Sequence, residues 1–150
     1  MRLADCRLKS EEDTRELAVE LAKKLRGGML VGLCGELGAG KTTLVRYLCE
    51  ALKAREPVSS PSYVLEHEYH AASGLLIDHW DLYRLGGVPE ELLEPPSKDT
   101  VCLVEWIDKQ PSLMEQADLL ISITFAEDDP LRQQRLVRFV NPQAPTAPQK

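Results

Sequence analysis

MLVGLCGELGAGKTTLVRYLCEAL, residues 29–52, decides how this chain folds. Met29 to Cys34 is a short, nearly continuous apolar run, the pattern of a strand buried on both faces of a sheet. From Leu44 onward Val45, Leu48, Cys49 and Leu52 return at helical spacing, so the chain passes from strand to helix. Between them Gly35-Glu36-Leu37-Gly38-Ala39-Gly40-Lys41-Thr42 fits the pattern G-x-x-x-x-G-K-[ST] completely. The chemistry demands this composition. Consecutive backbone N–H groups must turn toward one phosphate, and glycines permit the torsions and the close approach. The following helix adds the positive end of its dipole at the same place. Lys41 can then set an ammonium on the terminal phosphates, and the Thr42 hydroxyl can ligate Mg²⁺. Gly35, Gly38, Ala39, Gly40, Lys41, Thr42 and Thr43 are the expected nucleotide-binding residues. A chance glycine-rich turn accounts poorly for the strand before the loop and the amphipathic helix after it.

The loop alone does not separate ATPase, GTPase and kinase. A GTPase would carry an N-K-x-D or T-K-x-D element to read guanine, and neither string occurs, so ATP is preferred. A kinase usually needs an Arg-rich lid, and the region beyond the loop helix is too short and strand-rich to supply one. Hydrolysis is favoured over group transfer. Two alternatives stay open: a small-molecule P-loop kinase using Asp81 and Arg84 to hold an acceptor, and a non-catalytic nucleotide-sensing interaction protein.

Working outward, residues 2–8 can form a first strand, and Ser10 with Asp13 three residues on resembles a helix-capping box. Leu17, Ala18, Leu21, Ala22 and Leu25 share one helical face, with Gly27 and Gly28 expected to end the helix. Further strands are expected at 63–69, 75–80, 101–106, 119–125 and 135–140. Strands outnumber helices after the loop helix. The expected fold is therefore α/β, a single P-loop NTPase domain over residues 1–140 with a mixed, mainly parallel central sheet flanked by helices. Residues 141–150 hold three prolines and almost nothing apolar, and are expected to form a disordered tail. At 150 residues there is room for one core. No apolar run approaches the length of a membrane span, and no secretory signal pattern opens the chain, so a cytoplasmic location is expected. The net charge of −6 with no Lys/Arg-rich block opposes a direct nucleic-acid footprint. Any role in nucleic-acid chemistry would run through a partner.

Mg²⁺ on a triphosphate takes one or two protein oxygens besides Thr42, and such carboxylates sit at the ends of buried strands. Glu105 closes the apolar run 101–104, and Asp81 follows the run 75–80, with Asp78 competing for its role. Lys41, Asp81 and Glu105 are the expected catalytic residues, Thr42 and Glu105 the metal ligands. Glu36, inside the loop, is expected to face solvent, away from phosphates of like charge. Ser59-Ser60-Pro61-Ser62 is either a switch-like hydroxyl element or a plain turn. Trp80 and Trp106 are expected to lie partly buried beside the acids. His67 and His70 lack a third ligand in register, and the four cysteines show no C-x-x-C spacing, so neither group suggests a metal site.

Four strings together resemble a known family: Gly35 to Thr43, Ser60-Pro61-Ser62-Tyr63, His79 to Leu85 (HWDLYRL), and Leu103-Val104-Glu105-Trp106. Their order and spacing resemble the TsaE family, bacterial P-loop ATPases of tRNA threonylcarbamoyladenosine biosynthesis. The resemblance implies an ATPase that works with TsaD and TsaB to install the threonylcarbamoyl group on the adenosine beside the anticodon. It implies contact with tRNA only through that complex. It further implies that Lys41 holds phosphate, that Thr42 and Glu105 hold Mg²⁺, and that Asp81 positions the metal shell or the attacking water. The family's N-terminal helix lies near the adenine, which implies roles for Glu11 and Thr14, with Arg132 or Arg135 from the last strand's start. Ser62 stands where the family usually has Thr. The segment 89–100 departs from the family pattern, with Glu94-Pro95-Pro96-Ser97 in place of its usual Gly and aromatic residues.

Overall fold

The central strand owes its place to its side chains. Leu30, Val31 and Leu33 are buried, and a Cβ on Gly32 would lie 2.7 Å from Ile107 and 2.8 Å from Leu120, so both faces are covered. The structure, a computed structural model, describes residues 3–58 and 66–143. Its strands are β1 (Cys6–Leu8), β2 (Leu30–Cys34), β3 (Glu66–His70), β4 (Leu76–Asp81), β5 (Thr100–Glu105), β6 (Leu119–Phe125) and β7 (Arg135–Val140). The α-helices are α1 (Glu11–Ala22), α2 (Lys41–Ala51) and the four-residue α3 (Pro111–Met114), with 3-10 turns at Glu90–Leu92 and Ile107–Lys109.

One sheet carries the order β1-β7-β6-β2-β5-β4-β3. β2 lies parallel to β5 and β6, and β4 lies parallel to β5, which makes the middle of the sheet parallel. The pairs β3/β4, β6/β7 and β1/β7 are antiparallel. The sheet is thus mixed and mainly parallel, as expected.

The helices are not shared evenly between its faces. α1 and α2 cover one face, burying Ala18, Leu21, Leu44, Val45 and Leu48 against Val31, Leu33, Leu103 and Ile121. Each fully buried leucine there contributes on the order of 2 kcal/mol. Leu30, Trp80, Cys102 and Val104 face the other way, under Leu92, Ile107, Leu113 and Ala117 from turns and the short α3. Pro89, Pro95, Pro96 and Pro111 interrupt helical periodicity in that segment, which is why no long helix forms there.

α1 begins as its sequence indicates but ends early. Ser10 accepts the Asp13 N–H at 3.2 Å, while the Asp13 carboxylate reaches back one residue past the cap to the Lys9 N–H at 2.8 Å. The last helical residue is Ala22, not the residue before Gly27. Gly27 serves a different purpose: a Cβ there would lie 1.7 Å from the Lys98 carbonyl oxygen, so the backbones meet too closely for any side chain. Residues 144–150 of the expected tail lie outside the described residues; Gln143, just past the expected domain boundary, donates its amide to the Glu115 carbonyl at 2.5 Å. No helix among the described residues is long and apolar enough to cross a membrane.

Candidate phosphate-binding site

The glycine-rich loop leaves the C-terminal end of β2 and enters α2 at Lys41. Gly35 must be glycine because a Cβ would sit 2.4 Å from the Ile123 carbonyl oxygen of the neighbouring strand. Gly40 takes φ +111° as the N-cap of α2 and carries no side chain to occupy the first-turn N–H groups. Those donors and the dipole of an 11-residue helix are available to an anion.

Lys41 is 5% exposed and folds back on the loop. Its ammonium donates to the Gly35 carbonyl and, at 3.0 Å, to the Glu36 carbonyl, and lies 3.9 Å from the centre of the Trp106 ring. Burial pushes its pKa below the usual lysine value, against the opposing charges of Glu105, Asp108 and Asp81. The ammonium, held by two carbonyls and an aromatic face, makes no direct ion pair among the described residues, its acidic neighbours acting only at longer range. An anion in the loop would provide one.

Glu105 closes β5 and is 3% exposed. The Thr42 hydroxyl donates between its two oxygens, at 2.8 and 3.0 Å, so the first turn of α2 is tied to the end of β5. Asp81 stands opposite Glu105 in the β4/β5 register. Its Oδ1 accepts the Tyr83 N–H at 2.8 Å. Burial pushes the Asp81 carboxyl above its usual range, the Tyr83 N–H opposes this, and the Glu105 charge adds to it. Asp78 does not compete for this position. It sits on the opposite face, where its Oδ2 accepts from the Trp80 indole at 2.8 Å. Trp106 follows Glu105 at φ +60°, a torsion uncommon outside glycine, and its ring meets that of Tyr83 at 4.8 Å.

Beside the loop a cavity of about 170 Å³ is lined by Glu11, Thr14, Thr43, Gly38, Ala39, Gly40 and Arg135 among others. Glu11 is held by the Tyr47 hydroxyl at 2.8 Å. Arg135 braces the loop from outside, donating Nε–H to the Ala39 carbonyl at 3.0 Å with its guanidinium 4.0 Å from the Phe125 ring centre. Arg132 instead pairs with Glu36 at 3.1 Å at the exposed rim, so Glu36 does turn away from the phosphate cradle. Ser59, Ser60, Pro61 and Ser62 lie outside the described residues. A larger cavity of about 580 Å³ sits on the other face, lined by Glu68, Asp78, Glu91, Leu92, Pro95 and Pro96 among others, and contains no residue of the loop.

Sequence reasoning missed His79, which is fully buried beside Glu105, with Nε2 2.6 Å from Oε2. The alternation of β4 was the available signal, since it puts His79 on the face of Asp81. Sequence reasoning also gave Arg135 only the role of a base contact, whereas its guanidinium holds the loop backbone.

A buried parallel strand, a glycine loop at its C-terminal end, a helix opened by Lys41 and acids closing the neighbouring strands define a P-loop α/β protein. Residues 8–136 match the family model of the threonylcarbamoyl adenosine biosynthesis protein TsaE, and the chain belongs to that family. It is 39% identical over 124 residues to the tRNA threonylcarbamoyladenosine biosynthesis protein TsaE of Aquifex aeolicus, covering 81% of this chain and 87% of that one. The protein of the same name from Haemophilus influenzae is 41% identical over 105 residues, covering 67% of this chain and 65% of the relative's length. Among solved structures, that of Bacillus subtilis YdiB superposes with a TM-score of 0.68 at 29% identity, covering 92% of this chain and 84% of that one.

Proposed function

We propose that this protein is a Mg²⁺-dependent ATPase that supports threonylcarbamoyl modification of the adenosine beside the tRNA anticodon, acting in the cytoplasm with TsaD and TsaB. The modification pathway is supported by family membership. The partners and the hydrolytic role come from the resemblance of the quoted strings. The observation that carries the chemistry is the contact of the Thr42 hydroxyl with the buried Glu105 carboxylate, directly behind a glycine loop whose lysine makes no direct ion pair among the described residues.

The donor set fits the group it would hold. A hydroxyl and a carboxylate are hard oxygen ligands suited to Mg²⁺, which keeps most of its waters. Bound Mg²⁺·ATP would supply an activated terminal phosphoryl group for attack by water. The protein's own contribution is positioning. Lys41 would turn from the loop carbonyls to the terminal phosphates, Thr42 and Glu105 would hold the metal, and Asp81 would orient its shell or the attacking water. The Trp106 ring covers the Lys41 ammonium, which strengthens its charge interactions. Glu11 and Thr14 line the adjoining cavity where a base could lie.

The test is equilibrium binding of ATP and GTP with and without Mg²⁺, followed by phosphate release with TsaB and TsaD added. We expect ATP to bind more tightly than GTP, Mg²⁺ to be required for turnover, and turnover to rise with the partners. Binding without any turnover in their presence would point to a nucleotide sensor, and failure to bind ATP would overturn the reading.

A further inference from the structure

Thr42 alone leaves Glu105 poorly fixed, because one hydroxyl hydrogen is shared between two oxygens at nearly equal distances. A buried carboxylate with a single donor can rotate between arrangements, and only some of them would point a free lone pair at a metal. The second donor comes from β4. His79 has no exposed surface, and both its ring nitrogens are engaged: Nε2 lies 2.6 Å from Glu105 Oε2, and Nδ1 lies 3.2 Å from the Tyr69 hydroxyl.

We propose that His79 is the positioning residue of this site, locking the Glu105 carboxylate in the orientation that meets Thr42. The chemistry of the contacts assigns the ring. Two unprotonated atoms, a carboxylate oxygen and an imidazole nitrogen, would repel at 2.6 Å, so beside a charged Glu105 the hydrogen is on Nε2. In the neutral ring Nδ1 is then an acceptor and takes the Tyr69 hydroxyl hydrogen. The line Tyr69–His79–Glu105–Thr42 runs from β3 through β4 and β5 into the first turn of α2. With Oε2 held by His79 at 2.6 Å, the Thr42 hydroxyl lies 2.8 Å from Oε1 and 3.0 Å from Oε2, so the two donors together fix the plane of the carboxylate. The supporting partners of a metal-holding carboxylate set its orientation, and their loss typically weakens metal affinity by about 10- to 100-fold.

This role rests on the metal-binding part of the proposed function, and the test separates the two. Three variants are compared with the wild type: His79→Leu, with no donor; His79→Gln, whose amide can place an N–H near the position of Nε2; and Tyr69→Phe, which keeps the ring and removes the hydroxyl. Binding of a fluorescent ATP analogue is measured with and without Mg²⁺, and Mn²⁺ affinity in the nucleotide complex is read by electron paramagnetic resonance. We expect His79→Leu to weaken the metal by about tenfold or more while metal-free nucleotide binding changes by less than about twofold. His79→Gln should recover most of the loss, and Tyr69→Phe should fall between the two. Separately, ¹⁵N-histidine spectra of the ligand-free protein at one pH should show His79 protonated at Nε2, with that signal moving in Glu105→Gln. An unprotonated Nε2, or a folded His79→Leu with undiminished metal affinity, would overturn the proposal. Should His79→Leu not fold, Tyr69→Phe decides: unchanged metal affinity and an unchanged His79 spectrum would count against it. A wild type that binds no Mg²⁺·ATP would sink the proposed function instead, and the spectra would still decide the His79–Glu105 pairing.

Discussion

Asp78 and His79 are neighbours in β4, point to opposite faces of one sheet, and belong to two carboxylate groups treated in opposite ways. On the loop face Glu105 is buried among donors, with the Thr42 hydroxyl and the His79 ring both in contact. On the other face the carboxylate oxygens of Glu66, Glu68 and Asp78 come within 4.8 Å of one another. Asp78 Oδ1 is buried there without a hydrogen-bond donor among the described residues. The Glu66 carboxyl is raised to about 7, first by its hydrogen bond to Asp78, then by burial and the like charges of Asp78, Glu68 and Glu91. Glu105 is thus given donors, while on the far face carboxylates left facing each other raise the proton affinity of Glu66.

The largest effect should come from removing the charge on the loop face without changing its shape. Glu105→Gln keeps a planar acceptor beside Thr42 but cannot neutralise a metal. We expect Mg²⁺-dependent phosphate release to fall by about a hundredfold or more, equivalent to about 3 kcal/mol of lost transition-state stabilisation. Metal-free ATP binding should largely survive. Turnover close to the wild type would erase the distinction between the two carboxylate groups.

Next in size is the cation that separates them. The loop face has Lys41 within charge range of Glu105 and Asp81, while no cation appears among the causes that shift Glu66. Lys41→Ala removes charge-assisted phosphate contacts worth about 1.5–3 kcal/mol, hence about 10- to 100-fold in ATP affinity. Titration calorimetry reads this directly, and unchanged affinity would mean that Lys41 never leaves the loop carbonyls.

How far this asymmetry could be read in advance depended on what each residue had to do locally. The loop was legible because its glycines, Lys41 and Thr42 stand at fixed offsets in one short stretch. β6 and β7 were legible to the residue, since Leu119–Phe125 and Arg135–Val140 follow unbroken patterns between turn residues. Asp81 and Glu105 could be picked out as acids ending apolar runs, but the choice of Asp81 over Asp78 needed the register that sets Asp81 against Glu105. His79 was hidden because its partners come from β3 and β5, distant in sequence. Gly27 misled for a similar reason. The Lys98 carbonyl that requires it lies on another segment, so a close approach looked like a helix end.

The smallest effect concerns the far face and tests whether it holds a proton at all. The ordinary carboxyl value for Glu66 is 4.5, and in the folded protein it is raised to about 7. The folded state therefore binds this proton more tightly than the unfolded chain. Its contribution to stability is complete below about pH 4.5 and is lost as the pH rises through about 7. Glu66 is partly open to solvent, so the screened effect is on the order of 1 kcal/mol. Glu66→Gln mimics the protonated form at every pH. Its melting temperature relative to the wild type should rise by about 2–4 °C between pH 5 and pH 8. Glu68→Gln, at a more exposed position in the same group, should move less over the same range. A melting difference for Glu66→Gln that stays flat with pH would mean that Asp78 and Glu66 share no proton. The two faces of β4 would then differ only in their donors and not in the charge they hold.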